Sequence, residues 1–130
     1  MWSHCSSNHT GFFIGFDSES ICTDYDFDYL EPINYQIEYP LISGIDEITD
    51  QFHKKFFFKS QLWEYEKEWR ISRTHIEKRT IKEILIGCRC NTQAINEIIK
   101  LTQNNLGAEI PIYKAIKLGE KFGLQIERIK

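Results

Sequence analysis

The sequence lacks most features that would place it outside the ordinary globular class. It holds only 3 prolines and 7 glycines in 130 residues, and no Pro/Gly/Ser-rich stretch that would act as a linker between domains. There is no internal repeat and no low-complexity tract. No apolar run approaches the roughly 20 residues that a spanning helix needs, so no membrane association is expected. Met1-Trp2-Ser3-His4-Cys5 has neither a basic segment nor an apolar one, so no signal peptide is expected. Charge of one sign is not in excess: the net charge is −3. That argues against a protein that coats nucleic acid or a membrane surface. The basic residues near the end (Lys114, Lys117, Lys121, Arg128 and Lys130) interleave with Glu109, Glu120 and Glu127, which is a mixed surface without a nucleic-acid footprint. Cysteine is sparse at 4 residues, and without a secretion signal these are expected as reduced thiols in a cytoplasmic protein. Cys88-x-Cys90, with Cys5 and Cys22 far away, does not match common zinc spacing, so no metal is expected.

What is present suits one domain spanning 1–130. Hydrophobic residues make up 42% and charged residues 27%, enough for a real core in a chain of this length. Aromatics reach 14%, and most fall between Trp2 and Trp69, whereas Arg70 to Lys130 is rich in Ile, Lys and Glu. This contrast suggests two packing units without a domain boundary between them.

Hydrophobic periodicity gives the elements. Gly11 to Phe16 is apolar without alternation, as in a strand buried on both faces, and Asp17 or Ser18 can cap a short helix after it. Ile33 to Tyr39 alternates, which predicts a half-buried strand stopped by Pro40. Ser43 to Lys59 has helical spacing through Ile45, Ile48, Phe52 and Phe56, with Ser43 or Asp46 as cap and His53-Lys54-Lys55 as a solvated face. Lys82 to Cys88 reads as a strand ending at Gly87. Asn91 to Asn105 reads as a helix capped by Asn91, with a stripe of Ile95, Ile98, Ile99 and Leu101, ended by Gly107. Glu109–Leu118 and Phe122–Ile129 read as a strand pair turning at Gly119-Glu120-Lys121. Strands mixed with about two helices, without regular βαβ alternation, predict an α+β fold with a mixed or antiparallel sheet.

The stretch most suggestive of chemistry is Leu62-Trp63-Glu64-Tyr65-Glu66-Lys67-Glu68-Trp69-Arg70-Ile71-Ser72. As a strand it sets Glu66, Glu68, Arg70 and Ser72 on one face, each roughly 7 Å from the next. As a helix it keeps Glu66 and Arg70 together and sends Glu68 elsewhere. Carboxylates so placed can accept from sugar hydroxyls or offset positive charge on an anomeric carbon. Arginine can clamp a phosphate, and flanking tryptophans can stack on a base or sugar. The plain alternative is a solvated face whose charges pair with one another. A second feature is Trp2 and His4 with His9 and Gly11, which suits a ligand-contacting loop with acid/base chemistry, or else a frayed terminus.

Two patterns resemble a family. Met1-Trp2-Ser3-His4-x4-His9-x-Gly11-Phe12-x-Ile14-Gly15-Phe16-Asp17 is similar to the central signature of a widespread, mainly bacterial family, domain of unknown function 2971. Lys59, Trp63, Tyr65, Glu66, Glu68, Trp69 and Arg70 match its later signature in order, and Ile84 to Gly87 with the following strand pair also resembles it. Cys5 stands where the family usually has tyrosine. Members carry an upstream segment with an Asn-Asp-Pro motif, so the resemblance implies the C-terminal part of a member, truncated at its N-terminus. The family's pattern is similar in outline to ADP-ribosyltransferase-like folds. On that analogy Glu68 or Glu66 would hold a nicotinamide ribose, His4 would sit near the cofactor, and NAD would be that cofactor. Arg70, Trp63, Trp2 and Lys59 would bind substrate, an unidentified small molecule or nucleotide. The alternatives are a non-catalytic interaction module resting on the aromatic-rich first half, and a nonfunctional gene fragment.

Overall fold

The structure is a computed structural model that describes residues 8–23, 30–72 and 76–130. Trp2, His4 and Cys5 lie outside the described residues. The fold is α+β, and the chain forms two compact units, one of residues 1–23 with 76–130, the other of residues 24–75. The units therefore do not divide at the change in composition near Trp69: the start of the chain joins the Ile/Lys-rich half.

The first unit carries a four-stranded sheet of β1 (Phe12–Phe16), β6 (Ile81–Ile86), β7 (Ile112–Lys117) and β8 (Leu124–Arg128), in the order β1-β6-β7-β8. A helix, α1 (Ser18–Thr23), follows β1, where Asp17 accepts from the Ser20 hydroxyl at 2.8 Å. β6 pairs antiparallel with β1 and parallel with β7, and β7 pairs antiparallel with β8 as the predicted hairpin. Parallel neighbours need a crossover, and α3 (Thr92–Asn105) supplies it. Asn91 caps α3 as predicted, its Oδ1 accepting from the Ala94 N–H at 2.8 Å. Ile84, Ile86, Cys90 and Ile112 form the core, covered by Ile95, Ile98 and Ile99. Leu101 is exposed instead, because the stripe that starts at Ile95 continues through the buried Thr102.

β1 is not buried on both faces. Phe12, Ile14 and Phe16 are exposed while Phe13 and Gly15 are half-buried, so the face that carries Phe12, Ile14 and Phe16 is incompletely covered. Gly87 is needed at the end of β6: a Cβ there would sit 2.2 Å from the His9 carbonyl oxygen. That approach lets Gly87 N–H donate to Gly11 O at 2.8 Å and Arg89 N–H to His9 O at 3.0 Å.

The second unit pairs β2 (Leu30–Pro32) antiparallel with β5 (Trp69–Ile71), and β3 (Asn34–Gln36) parallel with β4 (Phe58–Ser60). The alternating run predicted as one strand to Tyr39 is thus two short strands. Buried Ile33 is the switch: its N–H donates to Glu68 O at 2.9 Å, and the next N–H, of Asn34, donates to Phe57 O at 2.8 Å. β3 stops at Gln36 because its partner β4 ends at Ser60, so Ile37 and Tyr39 are left exposed. The helix α2 (Ile48–Phe56) is shorter than its periodicity suggested. Ser43 and Asp46 do not cap it. They close a turn ahead of it, with Ser43 N–H donating to Asp46 Oδ2 at 3.0 Å and Asp46 N–H to Ser43 O at 3.1 Å. At its other end, Phe57 is buried and the chain leaves the helix to pair with β3.

Candidate functional site

The stretch from Gln61 to Ile71 is neither the strand nor the helix considered above. Gln61–Glu66 is a 3-10 turn, Lys67 adopts a left-handed conformation (φ 48°), and Trp69–Ile71 is β5. The left-handed residue reverses the chain between the two glutamates, and both carboxylates end on one cation. Lys59 Nζ donates to Glu66 Oε2 and, at 3.0 Å, to Glu68 Oε2. Glu68 Oε1 accepts from Arg70 Nε at 2.6 Å, and Arg70 Nη1 donates to the Phe56 carbonyl at 2.5 Å. The result is an alternating chain of charges, Glu66–Lys59–Glu68–Arg70, two of each sign.

Aromatic rings bracket it. Lys59 Nζ lies 5.1 Å from the Trp63 ring centroid, and Arg70 Cζ lies 5.5 Å from that of Phe56. The backbone of Glu68 is fixed on both sides: its carbonyl accepts from Ile33 N–H, and its N–H donates to the Tyr35 hydroxyl at 2.8 Å.

Burial separates the two carboxylates. Glu66 is 5% exposed, whereas Glu68 and Arg70 are each 28% exposed at the side chain. Glu66 is therefore an internal partner of Lys59, and Glu68 is the carboxylate a ligand can reach. Burial pushes the Glu68 carboxyl upward, but the hydrogen bonds and charges of Arg70 and Lys59 outweigh it and hold it below the ordinary range. The Lys59 ammonium is held above its ordinary range, chiefly by its hydrogen bond to Glu66, against the opposing effect of burial. Near neutral pH Glu68 and Lys59 are thus both ionised. Glu68 is an acceptor only: it suits a hydroxyl or a positive centre and does not suit proton donation.

The structure brings together Lys59, Trp63, Glu66, Glu68 and Arg70 of the residues singled out in the sequence. Trp2 and His4 lie outside the described residues. Three residues join the site that sequence reasoning did not assign to it. Tyr35 holds Glu68. Glu31 is the cross-strand partner of Arg70 in the β2–β5 ladder. His53, read as part of a solvated helix face, contacts Glu31 Oε2 through Nε2 at 3.0 Å and packs its ring on Phe57 at 4.8 Å between centroids. The one available signal was Tyr35: a tyrosine in an apolar alternating face needs a partner for its hydroxyl.

Among the described residues, no helix is long and apolar enough to cross a membrane. No curated protein and no solved structure matches the chain. Residues 1–71 match the sequence model of a family described as "Protein of unknown function (DUF2971)". The match runs through the whole charge cluster and stops at the end of β5, so the likeness expected at Ile84–Gly87 and in the β7–β8 pair lies outside it. With more than half of its length matched, including both signature stretches, the chain belongs to the DUF2971 family.

Proposed function

We propose that this chain is a nucleotide-handling domain in which Glu68 faces a positively polarised ribosyl carbon of the ligand, as in ADP-ribosyltransferase-like sites. The observation that carries the reading is the state of Glu68: ionised, partly accessible, and fixed by Lys59, Arg70 and its own backbone. A carboxylate held in this way stabilises positive charge without reorganising as that charge develops. Glu66 positions Lys59 and does not touch the ligand. The partly exposed Trp63 and the exposed Trp69 offer faces for a base. NAD is the cofactor this arrangement suits, on chemical grounds and by analogy of fold.

The test is calorimetric titration of the chain with NAD, ADP-ribose and AMP. Saturable binding is expected, weakened about tenfold or more by Trp63→Ala, since stacking on a base contributes roughly 1–3 kcal/mol. Glu68→Gln is expected to weaken binding and remove any turnover of NAD. Absence of saturable binding, or binding indifferent to both substitutions, would refute the reading.

A second reading has its own observation. Ile37, Tyr39, Leu41 and Ile45, between β3 and α2, and Ile48, the first residue of α2, are all exposed. Such an apolar run suits an interaction module. Its mark would be a partner lost on Leu41→Glu with Ile45→Glu and retained on Glu68→Gln.

A further inference from the structure

Beside the charge cluster, the second unit carries an open cleft of about 550 Å³ with both apolar and polar walls, the polar side chains being those of Glu31, Asn34, Tyr35, His53, Gln61 and Glu64. We infer that this cleft binds the vicinal diol of a sugar ring, and, resting on the reading above, that the ring is the ribosyl group whose anomeric carbon faces Glu68.

The lining chemistry selects the ligand. Among the described residues no lysine or arginine lines the cleft, so these offer a phosphate no cationic clamp. It offers acceptors and amides instead. Glu31 uses Oε2 toward His53, and a carboxylate has a second oxygen able to accept. The amides of Asn34 and Gln61 each provide an acceptor and two donors. Tyr35 accepts from Glu68 N–H through its oxygen, so its own proton is available to an acceptor in the cleft. A vicinal diol is matched by such a set, since each hydroxyl donates once and accepts from neighbours. A glutamate or aspartate holding a ribose diol is a recurrent solution in nucleotide sites.

Two contacts tie the cleft to the cluster. Tyr35 lines the cleft and holds the backbone of Glu68. Glu31 sits opposite Arg70 in the β2–β5 ladder. A ring bound by its diol at Glu31 and Tyr35 is thus presented to the segment in which Glu68 leads into β5.

The experiment compares adenosine, 2′,3′-dideoxyadenosine, ribose and NAD as ligands of the whole chain, by titration calorimetry and by NMR. Adenosine is expected to bind about tenfold or more tightly than its dideoxy analogue, the effect of losing hydrogen bonds to a charged acceptor. Glu31→Gln and Gln61→Ala should each remove most of that difference while leaving the affinity for dideoxyadenosine unchanged. Gln61 is exposed, so Gln61→Ala carries the test if Glu31→Gln fails to fold. Equal affinity for the two nucleosides, differences insensitive to both substitutions, or no binding of adenosine and ribose alike would each overturn the inference. The two proposals fail separately. NAD binding without dependence on a diol overturns the cleft assignment and leaves the nucleotide reading standing. Diol-dependent binding of ribose and adenosine, with NAD and AMP silent, does the reverse.

Discussion

Replacing Lys59 by methionine isolates the central interaction. Methionine keeps most of the stem and removes the charge, so the carboxylate of Glu66, in a residue 5% exposed, loses its ammonium partner. Stripping one member from a fully buried pair costs about 3–5 kcal/mol, mostly from the charge left behind. Two features lower that figure. Lys59 is 24% exposed, so water reaches part of its position, and Glu68 retains Arg70. We expect a loss of about 2–3 kcal/mol, or a fall in melting temperature on the order of 10 °C for a chain of this length. Urea unfolding followed by tryptophan fluorescence reads this directly, because Trp63 and Trp69 belong to the same unit. Adding Glu66→Gln to Lys59→Met should recover about 1–2 kcal/mol by removing the stranded charge. A cost below about 0.5 kcal/mol would match an ordinary surface pair. That result, or no recovery in the double variant, would refute the view that Lys59 organises the cluster.

The pH dependence has a definite sign at each end. The lowered Glu68 pKa contributes stability that is present above the unfolded value of about 4.3 and lost as pH falls through the folded value below it. The raised Lys59 pKa contributes stability that is present below about 10.4 and lost as pH rises through the folded value above it. A melt series in Glu68→Gln should lose much of the acid-side slope. Lys67→Gly should be neutral or stabilising by up to about 1 kcal/mol because of the left-handed backbone at φ 48°, and Lys67→Ile should lower the melting temperature. Asn91→Ala should cost about 1 kcal/mol, through loss of the cap on α3, as read by chemical unfolding.

The elements best read from sequence were those with local causes. Asn91 and the isoleucine spacing define α3 within a few residues, and Gly119-Glu120-Lys121 lies in the observed hairpin connection. The misread elements have non-local causes. Ile33 to Tyr39 alternates without a break, but the strand divides where Ile33 turns from β5 toward β4, and nothing in its own residues shows which partner comes next. Ser43 to Phe56 keeps helical spacing, but the local hydrogen bonds of Ser43 and Asp46 compete with the helix and win its first turn. The site shows the same division. Glu66, Glu68 and Arg70 could be singled out from composition and spacing, while Lys59 came from the family resemblance and His53 was assigned to solvent.

The missing step was the left-handed Lys67. Neither regular geometry puts both glutamates on Lys59: a helix separates Glu68 from Glu66, and a strand spaces the charges in a row. A single residue outside both does so, at a backbone cost that a lysine tolerates poorly. The compensation is visible in what the turn achieves. It buries Glu66 against Lys59, presents Glu68 to solvent, and lets the Glu68 N–H reach Tyr35. Glu66 and Lys59 together act as a base on which Glu68 is held ionised, and Arg70 locks it from the other side. A surface of independently paired charges would have no need of a buried member or of a strained link. The division into one buried carboxylate and one accessible carboxylate is the property that separates this cluster from a solvated face.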